Sequence, residues 1–136
     1  MKILITENLE KTIDGYRTLT AVHGSVKLND VPRNACESIV IDNCMDSLKE
    51  DQILEQLSSK LRKEGIITIV GTDIYVLSQN LLNKNISIDD FCNYTSNTKR
   101  MWSMEKIISI MKNLNMTIVT ATLQGVRYEV RAQRNK

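Results

Sequence analysis

The chain of 136 residues has a single histidine, His23, which rules out any site that needs two imidazoles, such as H-E-x-x-H. It has three cysteines, Cys36, Cys44 and Cys92, an odd number with no C-x-x-C among them. That pattern fits reduced thiols in a reducing, cytoplasmic compartment better than a disulfide framework. It has five glycines, and none forms G-x-x-x-x-G-K-[ST], so P-loop phosphate chemistry is not expected. Apolar runs are short. Met1 to Ile5 is stopped by Glu7 and is too short for a secretory h-region, and nothing approaches the roughly 20 residues of a membrane span. Charge of one sign is scarce too: a net +2 is too small to indicate nucleic acid or membrane as a partner. No repeat, low-complexity tract or linker divides the chain.

What is present is ordinary for a globular protein: 42% hydrophobic and 25% charged residues. Residues 1–136 are expected to form one domain, able to bury roughly two-thirds of its unfolded surface without disulfide or metal. Met1 to Thr6 reads as a buried strand. Leu9 to Asp14 is at most one or two helical turns, ended by Gly15. Tyr16 to Val22 alternates weakly as a second short strand, His23-Gly24 is a turn, and Val26 to Leu28 reads as a third strand closed by Asn29-Asp30-Val31-Pro32. Ser38 to Asp42 is a continuous apolar, β-branched run, the pattern of a strand covered on both faces. From Leu48 to Arg62, Leu48, Ile53, Leu54, Leu57 and Leu61 share a helical face, with Gly65 expected at the C-cap. Ile66 to Val70 is the next buried strand. Asp73 to Asn83 starts another helix, and Asn83 to Lys99 is polar and loop-like, with at most a helical turn opening at Ser87 to Phe91. Ser103 caps a helix to Asn113. Met116 to Leu123 and Val126 to Ala132 flank Gln124-Gly125 as a β-hairpin. The order strand, helix, strand, helix, helix, hairpin predicts an α/β domain whose parallel sheet ends in an antiparallel pair.

Particular motifs carry a family resemblance. Cys36-Glu37-Ser38-Ile39 followed by Met45-Asp46-Ser47-Leu48 resembles the fourth strand and helix start of the class I, Rossmann-like, S-adenosylmethionine-dependent methyltransferases. Ser59-Lys60-Leu61-Arg62-Lys63-Glu64-Gly65-Ile66-Ile67-Thr68-Ile69 is similar to that family's R-x-L-K-P-G-G-x-L-x-I, with one glycine of the pair retained. Trp102-Ser103-Met104-Glu105 with Leu114-Asn115-Met116 looks like its late helix, and Gly125 to Ala132 like its last strand. Met1 to Asn8, Gly15 to Ala21 and Asp30 resemble the opening of a compact subgroup that begins M-K-L-N-I-G-C-G. The resemblance implies a Rossmann-like, methyltransferase-type three-layer sandwich with a mostly parallel sheet, a terminal antiparallel hairpin and a reduced N-terminal part. It implies S-adenosylmethionine as cofactor and methyl transfer as activity.

Two departures weigh on that activity. Glycine at the first turn lets the backbone approach the cofactor, and Thr6-Glu7-Asn8 stand there instead. The acid that ends the second strand and binds ribose hydroxyls is replaced by Thr20 or Ala21. The cofactor-binding candidates are therefore Thr6, Glu7, Asp30, Asp42 and Asn43; no catalytic residue and no metal ligand stands out. Each candidate has a plain alternative. Asp30 is an adenine contact or a turn residue. Asp42-Asn43 end a central strand, where α/β ligands bind, or simply close it. Glu7 replaces a lost contact or is a solvated carboxylate. Asp73 and Tyr75 touch a substrate, or serve as an N-cap and a packed aromatic. Lys99-Arg100 with Trp102 is a basic-aromatic patch or a loop anchored by Trp102. Two functions follow: a methyltransferase-like protein with weakened or lost cofactor binding, or a non-catalytic module of the same fold that binds a protein or small molecule or self-associates. Arg127, Arg131 and Arg134, on one side of the last strand, fit a solvated or dimer-facing surface.

Overall fold

The computed structural model describes every residue except Leu9, His23, Lys49, Glu50, Asp51, Asn97, Lys99 and Lys136, and leaves the Ser47 side chain undescribed. The turn expected at His23 and the basic residue Lys99 therefore lie outside the described residues. Six strands form one sheet: β1 (Lys2–Thr6), β2 (Arg17–Thr20), β3 (Cys36–Asp42), β4 (Leu61–Thr72), β5 (Met116–Gln124) and β6 (Arg127–Arg134). Their order is β2-β1-β3-β4-β6-β5, with β2, β1, β3 and β4 parallel and the β5–β6 hairpin antiparallel. The expected parallel neighbours, Met1 to Ile5, Ser38 to Ile41 and Ile66 to Val70, are thus adjacent, with β4 central. Among the described residues four α-helices accompany the sheet: α1 (Ile53–Lys60), α2 (Ile74–Leu82), α3 (Ile88–Thr95) and α4 (Met104–Asn113). None is long and apolar enough to cross a membrane among the described residues.

The period-2 alternation of strand side chains sorts the sheet into two faces. Register places Ile3, Ile39, Ile67 and Ala132 in one row and Ile5, Ile41, Ile69 and Val130 in the next. All eight are essentially inaccessible and join one cluster with Leu57 of α1 and Ile107 and Met111 of α4. Burial of each isoleucine contributes about 1.5–3 kcal/mol, which makes this face the core. The opposite face carries Leu4, Thr6, Val40, Asp42, Thr68 and Val70. Over β1 and β3 it is crossed by residues 10–16, which form turns and no helix. Tyr16 Oη lies 2.7 Å from Ser38 Oγ, and Lys11 Nζ lies 2.8 Å from Asp42 Oδ2. Leu4, on this face, is fully buried.

Three expectations need correction. Val26 to Leu28 is not a strand; Val26, Leu28 and Val31 instead pack into the core, and only Val22 and Ser25 bridge. With few residues before the Pro32 turn, apolar burial outweighs strand pairing here. The helix expected over Leu48 to Arg62 spans Ile53–Lys60, and a 3-10 turn covers Met45–Ser47. Gly65 is no C-cap: β4 begins at Leu61, residues 62–64 are extra relative to β3, and Glu64 takes φ +62°. A Cβ on Gly65 would stand 2.8 Å from the Cys36 carbonyl oxygen, so glycine is set by close backbone approach.

Candidate functional site

In a parallel sheet, ligands bind beyond the carboxyl ends of the strands. Here that edge gathers Thr6 and Glu7 at the end of β1, Asp42 and Asn43 at the end of β3, and Gly71 and Thr72 at the end of β4. Glu7, Asn43, Asp46, Gly71 and Thr72 line a cleft of about 180 Å³, roofed by Asn93 and Tyr94 of α3 and by Thr98. Sequence reasoning therefore brought Thr6, Glu7, Asp42 and Asn43 to one place. Asp30 is not with them. It sits in an exposed turn, 3.9 Å from Arg17, and lines a separate surface depression with the residues of β2. The expectation for Asp30 depended on a third strand that does not form.

The chain's own groups already engage the crevice. Thr6 is buried, and its Oγ1 accepts the Asn8 N–H at 3.1 Å, while Asn8 Oδ1 accepts the Glu10 N–H at 3.0 Å. Those are turns built by side chains where the family's glycine loop would present N–H groups to an anion. Asp42, 8% exposed, takes Lys11 at 2.8 Å and Arg127 at 3.9 Å. Asn43 adopts φ +53°, a left-handed conformation that asparagine tolerates. Thr20, paired with Thr6, stands where an acid would hold ribose. Glu7 is a carboxylate whose pKa burial raises. Thr6-Glu7 and Thr20 thus stand where the resemblance implies a glycine loop and a ribose-binding acid. The cleft is also smaller than the roughly 300 Å³ at which pockets for drug-sized ligands begin.

Behind the cleft lies a polar layer that the sequence did not reveal. Burial pushes Asp46 up to about 6 and the Tyr128 phenol well above its usual range; the Asp46 and Asp73 carboxylates add to the latter. Burial, with Glu7 and Asp42 next, pushes the Cys44 thiol up to about 12, so it is a poor nucleophile. Asp46 Oδ1, Trp102 Nε1 and Tyr128 Oη are buried without a hydrogen-bond partner among the described residues. Tyr128 packs edge-on to β4: a Cβ on Gly71 would lie 2.6 Å from its hydroxyl. Trp102 is 4% exposed and carries Lys106 over its ring at 4.6 Å, so it is an anchor rather than a stacking platform.

Asp73 proves to be an N-cap. Its Oδ1 accepts the Tyr75 and Val76 N–H groups, and its Oδ2 accepts the Met104 N–H at 2.8 Å. Tyr75 is 64% exposed. Arg127 points to Asp42, so only part of the expected arginine surface is open. None of the three cysteines is in a disulfide. Among the described residues, no group of three His, Cys, Asp or Glu could hold a metal.

No family model matches the sequence, and neither does any curated protein. Solved structures do match the fold. A proposed S-adenosylmethionine-dependent methyltransferase from Listeria monocytogenes superposes with TM-score 0.66 at 8% identity, over 99% of this chain and 81% of that one. A S-adenosylmethionine-dependent methyltransferase from Aquifex aeolicus gives 0.56 at 12%, over 88% and 55%. A complex of the Haloferax volcanii Trm112 methyltransferase activator with a proposed methyltransferase gives 0.62 at 6%, over 93% and 65%. The chain spans 55% to 65% of the length of the Aquifex and Haloferax structures. The strand order, the terminal hairpin and these superpositions together make this the class I methyltransferase fold, in a partial form.

Proposed function

We propose that this is a methyltransferase-fold protein in which S-adenosylmethionine binding is weakened, and whose own side chains occupy part of the cofactor crevice. The observation that carries this reading is Lys11 on Asp42, 2.8 Å apart, at the mouth between β1 and β3. Thr6, Glu7, Asp42 and Asn43 remain the residues a cofactor would meet, and Asp30 pairs with Arg17 beside β2 instead. Loss of two charged or bidentate contacts, at roughly 1.5–3 kcal/mol each, weakens binding by two to four orders of magnitude.

Calorimetry with S-adenosylmethionine and S-adenosylhomocysteine tests this directly. Dissociation constants weaker than about 100 µM are expected. Submicromolar binding by the native chain would return the protein to the ordinary enzyme class. Lys11→Met should release Asp42 and tighten binding by roughly 2–10-fold, as suits a half-exposed ion pair. Unchanged affinity in that variant would mean that Lys11 does not obstruct the crevice.

A second reading is the non-catalytic module that pairs with another protein or with itself, in a reducing compartment such as the cytoplasm. It is favoured by the strapped crevice and by an uncharged, uncovered sheet edge. The Haloferax complex, in which the structure includes an activator protein, supports a protein partner by analogy alone.

A further inference from the structure

We propose that the β5 edge of the sheet is a self-association site, at which a second copy adds antiparallel to the first about a two-fold axis. The two edges of the sheet are unlike. At β2, four residues long, Arg17, Lys27 and Asp30 flank the strand, and the Val22–Ser25 bridge closes its end. At β5, nine residues run Met-Thr-Ile-Val-Thr-Ala-Thr-Leu-Gln without a charge, a proline or a glycine. Soluble proteins guard edge strands with charges, proline, bulges or a covering element. Here the guard is one irregularity at Val119, between Ile118 and Thr120, which leaves the stretch beyond it regular. Val119 and Leu123 are 47% and 45% exposed.

The hydrogen-bonding direction of each residue follows from the hairpin. The Asp73 N–H bonds to the Val126 carbonyl, so Val126, Tyr128 and Val130 direct their backbones to β4. Arg127, Glu129 and Arg131 then face β5, where they meet Gln124, Thr122 and Thr120. The turn agrees: Gly125 at φ +58° opens a two-residue loop whose closing pair, Gln124 and Arg127, is hydrogen-bonded. Ala121 and Leu123 therefore present their N–H and C=O groups outward.

Only one register uses both residues under two-fold symmetry. Thr122 stands opposite Thr122 of the second copy, and each Ala121 exchanges both backbone hydrogen bonds with the other copy's Leu123. Same-face pairing puts Leu123 beside Ala121 on the helix-covered face. On the other face it puts Thr122 on Thr122 and Thr120 beside Gln124. Threonine pairs are favourable across strands, and no like charges meet. The contact is isologous, as a two-fold requires. The bulge at Val119 ends it, so the contact is short and weak.

Sedimentation equilibrium and light scattering of the full chain, from about 1 µM to 1 mM, test this. A dimer with a midpoint between about 10 and 1,000 µM is expected of a contact smaller than standard interfaces. Thr122→Lys and Thr122→Asp each place like charges face to face on the axis, and each alone should be monomeric with an unchanged circular dichroism spectrum. Mixed in equal amounts, the two should restore the dimer, which a merely unfolded variant cannot do. Ala121→Pro, which removes an outward N–H and no internal bond, should also give a monomer. A native chain that stays monomeric at 1 mM overturns the proposal. So does a dimer that Thr122→Lys leaves intact, or a Lys/Asp mixture that remains monomeric.

Discussion

Replacing Asp73 by alanine should be among the most damaging single changes in this chain, although the residue lies outside the hydrophobic cluster. One carboxylate, 4% exposed, accepts the first N–H groups of α2 with one oxygen and the Met104 N–H at the start of α4 with the other. Loss of a cap costs about 0.5–2 kcal/mol. The Met104 N–H loses its side-chain acceptor as well, and leaving a buried donor unmade costs about 1–3 kcal/mol. The two effects act on different helices, so Asp73→Ala should lose about 2–4 kcal/mol. For a domain of this size 1 kcal/mol moves the midpoint by roughly 3–5 °C, so the melt should fall by about 6–20 °C. Asp73→Asn keeps the Oδ1 acceptor but turns an amide N–H toward Met104. It should lose about half as much, since Asn caps as well as Asp. Urea unfolding followed by circular dichroism measures both. An Asp73→Ala loss below about 0.5 kcal/mol would refute the two-helix account, and equal losses in both variants would refute the assignment of Oδ2 to Met104.

Other outcomes follow from the buried polar layer. Asp46, raised by burial from its ordinary 3.8 to about 6, favours the folded state when protonated. Its contribution is full below pH 3.8 and is lost as pH rises through about 6. Discounted for partial solvent screening, Asp46→Asn should flatten the pH 4–7 stability profile and stabilise the protein at pH 7 by about 1–2 kcal/mol; a parallel profile in the variant would count against it. Tyr128→Phe removes a buried hydroxyl that has no partner among the described residues, so urea titration should give a neutral or slightly stabilising change, and a loss above about 1 kcal/mol would reveal a bond to that oxygen. Gly71→Ala should cost about 1–3 kcal/mol by overpacking, less in the Tyr128→Phe background, where the nearest atom recedes from 2.6 to 2.9 Å; equal costs in both backgrounds would exonerate the hydroxyl.

The parts of the fold that could be read from sequence are those where a local pattern and tertiary burial agree. Ile39, Ile41, Ile67 and Ile69 sit in continuous apolar runs, and both runs became central parallel strands. Ser103 announces a helix start, and its side chain does accept a capping N–H, whereas α3, capped by Ser87, runs through a stretch that reads as loop-like. Of the alternating Val126, Tyr128, Val130 and Ala132, the last three face the core, while Val126 falls in the hairpin turn. Sequence reasoning failed where local pattern was weak and packing decided. Val26 and Leu28 are apolar enough for a strand but were drawn into the core as irregular chain. Gly65 looked like a helix terminator because a glycine after Leu61 to Glu64 suits a C-cap, whereas close approach to the Cys36 carbonyl is a long-range demand. The gathering of Thr6, Glu7, Asp42 and Asn43 at one sheet edge was legible because apolar runs show where β1 and β3 end. Lys11 and Tyr128 were not, since nothing local says that a lysine in an aperiodic segment will reach across a sheet or that a core tyrosine will stop beside Gly71.

The N-terminal segment joins the two halves of this picture. Parallel strands such as β1 and β2 need a crossover, usually a helix, that packs on one sheet face. Here residues 7–16 must make that connection, and the described ones among them hold no helix. An extended strap covers less apolar surface than a helix would, so it must be fastened by polar contacts. Among the described residues these include Tyr16 on Ser38 and Lys11 on Asp42. Asp42 ends β3 at the carboxyl edge, so the second fastening falls at the mouth of the crevice. The Thr6–Asn8 and Asn8–Glu10 turns, which start the strap on its path, likewise engage the backbone that a glycine loop would leave open. Completion of the sheet's second face and accommodation of a cofactor therefore draw on the same few residues. A variant that releases Lys11 should gain ligand access and lose stability together, whereas one that shortens Tyr16 should lose stability alone, because Ser38 lies four residues back along β3 from the crevice.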